Sequence, residues 1–190
     1  MSITSAKTGA TGISLALENN FMEPIASTLV GSGGANTVIF NDIPQGYKHL
    51  QIRGISRPSE AGAGGSQYIY FRVNSDSGTN YSRHSIYGAG SVAVQAGVSD
   101  NQIRAGFQMR DGYPANIFAA TIIDILDYAN TNKNKTIRSL NGFDSNGSGS
   151  IVGLNSGAWL NTSAITSIQL TCEVGDFIQY SRFSLYGIKG

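Results

Sequence analysis

Few side chains in this sequence have the type and spacing needed for catalysis. Its two histidines, His49 and His84, lie outside any pattern of nucleophile, base and metal ligands. Asp124 and Asp127 are separated by an odd number of positions on one predicted strand, so they point to opposite faces and do not form a carboxylate pair. The single cysteine, Cys172, occupies an inward position of an alternating strand, which is typical of a core residue. We therefore predict that the protein is not an enzyme.

Two loops begin like a calcium-binding loop. They are "NSDSG" at 74–78 and "DSNG" at 144–147. Such a loop ends in a bidentate acid at its twelfth position, where this chain has Ser85 and Asn155. The pattern favours ordinary turns closed by Asn and Asp side chains. We predict no metal site and no cofactor.

Four tyrosines are candidates for molecular recognition. Tyr68 and Tyr70 occupy the outward face of the predicted strand 68–74, whereas Tyr81 and Tyr87 fall in or near loops. Exposed aromatic rings stack on sugars, anchor protein interfaces, or simply cover the surface. The sequence leaves these three roles open, including contact with a host surface glycan.

The composition of the chain points to an assembling protein or to an ordinary lectin-like domain. Charged residues make up 13% of the chain, against about 25% in typical globular proteins. Identical copies with such a surface can approach each other with little loss of charge hydration. The net charge is +1 and no cluster of Lys and Arg occurs, which argues against nucleic acid as a partner. No apolar run is long enough for membrane insertion.

The chain alternates between apolar and polar residues from Ile25 onward. Clear examples are "HLQIRGI" at 49–55, "YIYFRVN" at 68–74 and "SIQLTCEV" at 167–174, separated by turns rich in Gly, Asn and Ser. A period of two is expected of half-buried antiparallel strands. We predict an all-β protein, an antiparallel β-sandwich of jelly-roll type over residues 25–190.

The segment 117–128 departs from this alternation, because it is apolar on both faces. A strand buried on both faces of a two-sheet domain needs a second cover. The arm, a long loop, a neighbouring copy, or a bulge that switches the inward face would each explain the pattern. Asp124 within it is either a hydrogen-bonded acid or an interface contact. We predict a homo-oligomer with these interface residues: Phe118, Ile122, Ile123, Ile125 and Leu126.

Residues 1–24 form a separate, mostly irregular N-terminal arm in this prediction. The segment ends at Pro24, just before the first expected strand. It holds more apolar residues than a solvated tail needs, which favours an arm that binds a larger protein or a neighbouring copy over a frayed terminus. These apolar residues are Ile13, Leu15, Leu17, Phe21 and Met22.

Both ends of the chain resemble a known family. The stretch "SAKTGATGISLALENNFMEPIASTLVGSGGANTVIFNDIPQGYKHLQIRGISR" at 5–57 and the stretch "ITSIQLTCEVGDFIQYSRFSLYGIKG" at 165–190 carry the resemblance. They are similar to small virion structural proteins of tailed bacteriophages, common among marine and cyanobacterial phages. The middle of the chain, 60–160, has no such likeness.

The resemblance implies a jelly-roll-like sandwich without enzymatic activity, assembled as a trimer. In such a sandwich we expect the first and last strands to be neighbours. The protein would be made in the host bacterial cytoplasm and incorporated into the virion, with its arm on a larger capsid or tail protein. Capsid decoration, head fibre and tail-fibre component all remain open. The alternative is a receptor-binding module that holds a host glycan through loop tyrosines and Asn or Asp.

Overall fold

The computed structural model describes residues 21–59, 65–110, 113–146 and 149–190. Within these residues the protein is all-β, and no helix is long and apolar enough to cross a membrane. The strands are β1 (Met22–Leu29), β2 (Thr37–Phe40), β3 (His49–Ser56), β4 (Ser66–Val73), β5 (Tyr81–Gly88), β6 (Val92–Asp100), β7 (Ile103–Met109), β8 (Ala119–Leu126), β9 (Lys135–Phe143), β10 (Ile151–Trp159), β11 (Ile168–Cys172) and β12 (Arg182–Ile188).

The strands form two antiparallel sheets. The larger sheet has the order β1-β12-β3-β8-β9-β10-β5-β6, and the smaller has the order β2-β11-β4-β7. Every described ladder between neighbouring strands is antiparallel. The predicted antiparallel β-sandwich is confirmed.

The pairing is nested, so that early strands lie beside late ones. β1 pairs with β12, as expected for the first and last strands, and β2 pairs with β11. The orders β1-β12-β3-β8 and β2-β11-β4-β7 are those made by rolling up one long antiparallel hairpin. Two hairpins, β9–β10 and β5–β6, extend the larger sheet beyond β8. We call these four strands the sheet extension.

The main core lies where the nested strands of the two sheets face each other. Alternation places one side of each strand in this core; in β4, for example, Ile69 and Phe71 are fully buried. Ile123 and Ile125 of β8 also have 0% exposure and belong to this core. The prediction that these two residues form an oligomer interface is therefore wrong, because the inward face of β8 packs inside its own subunit.

Strand β7 packs beneath the sheet extension at glycines. A Cβ atom on Gly157 would lie 2.6 Å from Ile103, and one on Gly153 would lie 2.9 Å from the ring of Phe107. Both distances are shorter than carbon atoms tolerate, so the missing side chains are what allow β7 to approach β10. This close approach covers the inner face of the extension and leaves its outer face to solvent.

The first strand begins earlier than predicted. β1 starts at Met22, which pairs with Ile188, and Pro24 lies inside the strand opposite Tyr186. The predicted boundary between an arm ending at residue 24 and a domain starting at Ile25 is therefore too late. Proline is tolerated here because β1 is an edge strand whose outer side has no ladder.

Candidate self-association surface

The outer face of the sheet extension is unusually apolar for a solvent-facing surface. Alternation in β10 buries Ile151 and Gly153 and turns Val152 and Leu154 outward. The same alternation holds in β9, where Leu140 faces solvent. Because β7 covers only the inner face, these aliphatic side chains have no cover within the described part of the subunit.

Five aliphatic side chains on five adjacent strands lie directly opposite one another. The register pairs Ile122 with Leu140, Leu140 with Leu154, Leu154 with Ile86, and Ile86 with Val94. Their exposed fractions run from 38% at Ile122 to 75% at Val94. We call this line the apolar row. It crosses the sheet from β8 to the free edge at β6.

Further valines widen the apolar row near the free edge. Val92 and Val98 on β6 are 75% and 76% exposed, and Val152 on β10 is 60% exposed. Together with the apolar row they form what we call the apolar face. It consists of eight aliphatic side chains on residues that are 38% to 76% exposed. Monomeric proteins rarely expose so large a contiguous apolar patch.

A line of polar side chains borders the apolar row. Asp124 accepts hydrogen bonds from Gln51 Nε2 at 2.8 Å and from Arg138 Nη2 at 3.0 Å. Ser156 and His84 continue this polar row on β10 and β5. Asp124 is thus a hydrogen-bonded acid, one of the two roles that the sequence left open for it. Its bonds fix the side chains that flank the apolar row.

Two shallow depressions lie along the boundary between the rows. One has a volume of about 390 Å³ and the other about 430 Å³. Each is walled by aliphatic side chains on one side and polar groups on the other, a shape that could receive side chains of a partner. The residues that line them include His84, Ile86, Val94, Leu154 and Ser156 in the first, and Gln51, Ile122, Asp124, Arg138 and Leu140 in the second.

The predicted interface residues divide between this surface and other places. Ile122 and Leu126 lie on the outer face, 38% and 39% exposed. Phe118 is half-buried just before β8. The sequence prediction missed the residues on the other four strands of the apolar row, because it assigned no strands to this part of the chain.

The predicted attachment residues are only partly described. Ile13, Leu15 and Leu17 lie outside the described residues. Met22 belongs to β1, which corrects its assignment to the arm. Phe21 exposes 78% of its surface, and its carbonyl oxygen accepts a hydrogen bond from the Lys189 backbone at 3.0 Å.

Three of the four candidate tyrosines come together, but their rings serve internal packing. The Arg104 guanidinium lies 4.0 Å from the centre of the Tyr68 ring. Tyr68 and Tyr87 both pack against Phe107, with ring centres 5.1 and 4.8 Å away. The rings of Tyr68 and Tyr87 therefore each have a packing partner within the subunit.

The hydroxyl groups of the candidate tyrosines are also occupied. Tyr70 donates to Glu173 Oε1 at 2.7 Å, and burial together with this bond raises its pKa to about 12. Tyr81 is fully buried and donates to the Asp76 backbone carbonyl at 3.0 Å. The prediction of Tyr81 as a glycan contact is wrong, because its side chain points into the core from the start of β5.

The histidine and cysteine side chains predicted to lack a catalytic role make contacts within the fold. His49 Nδ1 accepts a hydrogen bond from the Asp127 backbone at 2.9 Å. Burial raises the pKa of Cys172 to about 11, so its reactive thiolate form is scarce at neutral pH. Within the described ranges, no group of three or more His, Cys, Asp or Glu side chains could hold a metal ion.

Comparison of the chain with models of protein families, with curated proteins and with solved structures found no match.

Proposed function

We propose that the protein is a non-enzymatic structural component of a tailed-phage virion that works as a homo-oligomer. It would be displayed outside the particle as a capsid decoration, a head fibre or part of a tail fibre. Support for a virion role comes from the resemblance of residues 5–57 and 165–190 to small virion proteins. Three copies per oligomer is the number that this resemblance implies.

One observation carries the proposal of self-association, namely the apolar face. Its aliphatic side chains are aligned across five strands and are open to solvent in the single subunit. The low charge of the chain, 13% of residues, reduces the cost of bringing two copies together. A second copy is a partner that is present wherever the protein itself is made.

Sedimentation equilibrium of the purified protein tests this proposal. We expect an oligomer at micromolar concentration, with a copy number of three or a multiple of three. Leu140→Lys and Leu154→Lys place a charge in the middle of the apolar row and should weaken association at least about tenfold, a loss of about 1.4 kcal/mol. Both side chains are about half exposed in the subunit, so the fold should survive.

Leu160→Lys is the matched control for these variants. Leu160 is 52% exposed but follows β10 and lies outside the apolar face. It should leave the oligomer intact. A wild-type protein that stays monomeric at 100 µM would contradict self-association, as would equal weakening by all three substitutions.

The particle-binding part of the proposal concerns the N-terminal residues, of which 1–20 precede the described chain. We propose that they attach the oligomer to a larger capsid or tail protein. Deleting 1–20 keeps β1 whole and should abolish incorporation into particles while leaving the oligomer unchanged. Normal incorporation of the truncated protein, measured by mass spectrometry of purified particles, would place the attachment site on the sandwich instead.

A further inference from the structure

Three edge strands of the described sheets carry features that hinder pairing with another chain. β1 contains Pro24 beside a register shift, and its Glu23 forms an ion pair with Lys189 at 2.6 Å. β2 is only four residues long. β7 carries Arg104 and an irregular ladder to β4. Proline, charge, bulges and short length are the usual means by which sheets avoid edge-to-edge association.

The remaining edge strand, β6, carries such a feature only at its end, where its ladder to β5 shifts register between Gly97 and Asp100. It is nine residues long and contains no proline and no charged residue before Asp100. Its ladder to β5 is regular from Val92 to Gly97, and β5 is its one neighbour among the described strands. One side of its backbone therefore offers unpaired N–H and C=O groups beside valines that are at least 75% exposed.

We propose that β6 pairs antiparallel with β6 of a second copy, so that two larger sheets join into one. This inference rests on the self-association proposed above and specifies its geometry. A second copy fits this edge because β6 is self-complementary. An unrelated strand would have to match its side chains by chance.

A twofold axis at Gln95 gives the best register. It places Val92 opposite Val98 of the other copy and Val94 opposite Ala96. Every outward valine of β6 then meets an apolar side chain, and valine pairs favour strand association. No like charges oppose each other, because Asp100 lies outside this register and is paired with Arg83 at 2.8 Å.

The inner side of β6 does not oppose this arrangement. Gln95 points inward, where its Oε1 atom accepts hydrogen bonds from Tyr68 at 3.1 Å and Arg104 at 2.9 Å. Its Nε2 atom donates to the Tyr87 hydroxyl at 3.2 Å. Two Gln95 residues at the axis are therefore already satisfied within their own subunits.

The twofold contact sets the symmetry of the assembly. It joins copies in pairs and leaves most of the apolar row free for a second contact. Trimers held through that row would then be joined to one another, into closed assemblies of six where the threefold and twofold axes meet at a right angle.

Cysteine pairs across the axis test this geometry. In this register Val92→Cys/Val98→Cys and Val94→Cys/Ala96→Cys each place two thiols directly opposite two others, at Cβ distances of about 4.5–5.5 Å. Mild oxidation should convert most of either double variant into a covalent dimer. Each of the four single variants should form at least fivefold less covalent dimer than the double variants, because its thiol then faces a valine or alanine of the other copy. The wild type is a suitable blank, since Cys172 is buried.

The outcomes distinguish this inference from the proposed function. A wild-type oligomer whose double variants give no covalent dimer overturns the edge pairing and leaves self-association standing. Single variants that cross-link as well as the pairs overturn the register and the twofold geometry with it. A monomeric wild type overturns both proposals.

Discussion

Cys172 occupies a strand position where alternation predicts an apolar side chain with apolar surroundings, yet its sulfur contacts polar groups. Its strand alternates cleanly, and the residue is 1% exposed. Yet Gln108 Nε2 lies 3.3 Å from its sulfur, and the thiol lies 3.2 Å from the Val174 carbonyl oxygen. The sulfur therefore takes part in a small buried polar group. Alternation identified the burial but not these partners, which come from distant strands and loops.

These polar contacts predict that a serine variant of Cys172 is more stable than a valine variant. Cys172→Ser keeps a group that can donate and accept, so it should cost less than about 1 kcal/mol. Cys172→Val adds about a methyl group to a packed site and leaves Gln108 with a poorer set of partners, and should cost about 1–3 kcal/mol. Urea denaturation measures both. A valine variant more stable than the serine variant would show that the sulfur acts as a plain apolar group.

The carboxylate of Asp76 is the centre of a second group of polar contacts. Its carboxylate accepts from the indole N–H of Trp159 at 2.7 Å, from Asn80 Nδ2 at 2.9 Å and from the Gly78 backbone at 2.9 Å. These bonds, that of Trp159 first, lower the pKa of Asp76 below its usual 3.8. The stability that they give is therefore present above about pH 3.8 and is lost as pH falls through the lowered folded-state pKa.

Asp76→Asn should accordingly lower the Tm at pH 7 by about 2–4 °C, near 1 kcal/mol for a chain of this size. The difference from wild type should shrink as pH falls from 3.8 through the lowered folded-state pKa, where the wild-type carboxyl also becomes neutral. Trp159 is the only tryptophan, so its fluorescence reports the bond directly. A Tm difference that stays constant down to pH 3 would contradict the assignment.

At the scale of elements, the middle of β9 and β10 reverses the usual rule for a half-buried strand. On β9 and β10 the inward side holds Ser139, Asn141, Gly153 and Asn155, whereas the outward side holds aliphatic residues such as Leu154. Small and amide side chains suit the inner face because β7 lies so close; Asn141 Nδ2 donates to the Phe107 carbonyl oxygen at 3.1 Å. Alternation in the middle of these two strands therefore does not identify the buried face.

Gly157 tests the close approach of β7. Gly157→Val would bring side-chain atoms into Ile103, since a Cβ alone lies 2.6 Å away, and should destabilise the protein by about 1–3 kcal/mol. Gly88→Ala on neighbouring β5 is the control, because the nearest atom to its Cβ would be Val152 at 3.9 Å. Thermal unfolding should show a lowered Tm for the first variant alone. Equal Tm values would mean that β7 can move away from β10 at little cost.

At the scale of the whole molecule, the sequence predicted the architecture better than the surface. Alternation predicted the sandwich, and the neighbouring first and last strands are seen in the pairing of β1 with β12. The two apolar faces of β8 have different surroundings, since Ile123 is buried and Ile122 is 38% exposed. The pattern could not say which face the subunit itself covers, because that depends on strands far away in the chain.

The corrected start of β1 changes what truncation should do. Deleting residues 1–20 leaves the β1 ladder intact and should not change the Tm. Deleting 1–24 removes the pairing of Met22 with Ile188 and of Glu23 with Gly187, and should lower the Tm by 2–4 °C or more. Differential scanning calorimetry separates the two truncations. Equal Tm values would show that the first three residues of β1 add nothing to stability.

The contacts of Glu23 have a mechanical consequence. A pull on the N-terminal residues first reaches the sandwich at Phe21, whose carbonyl oxygen accepts from the Lys189 backbone, and then loads the hydrogen bonds between β1 and β12 one after another. Glu23 sits at this point and holds both Lys189, at 2.6 Å, and the Tyr47 hydroxyl, at 3.0 Å. These two contacts hold the start of β1 in place, at the point where separation of β1 from β12 would begin. Resistance to force should therefore depend on this one carboxylate far more than resistance to heat does.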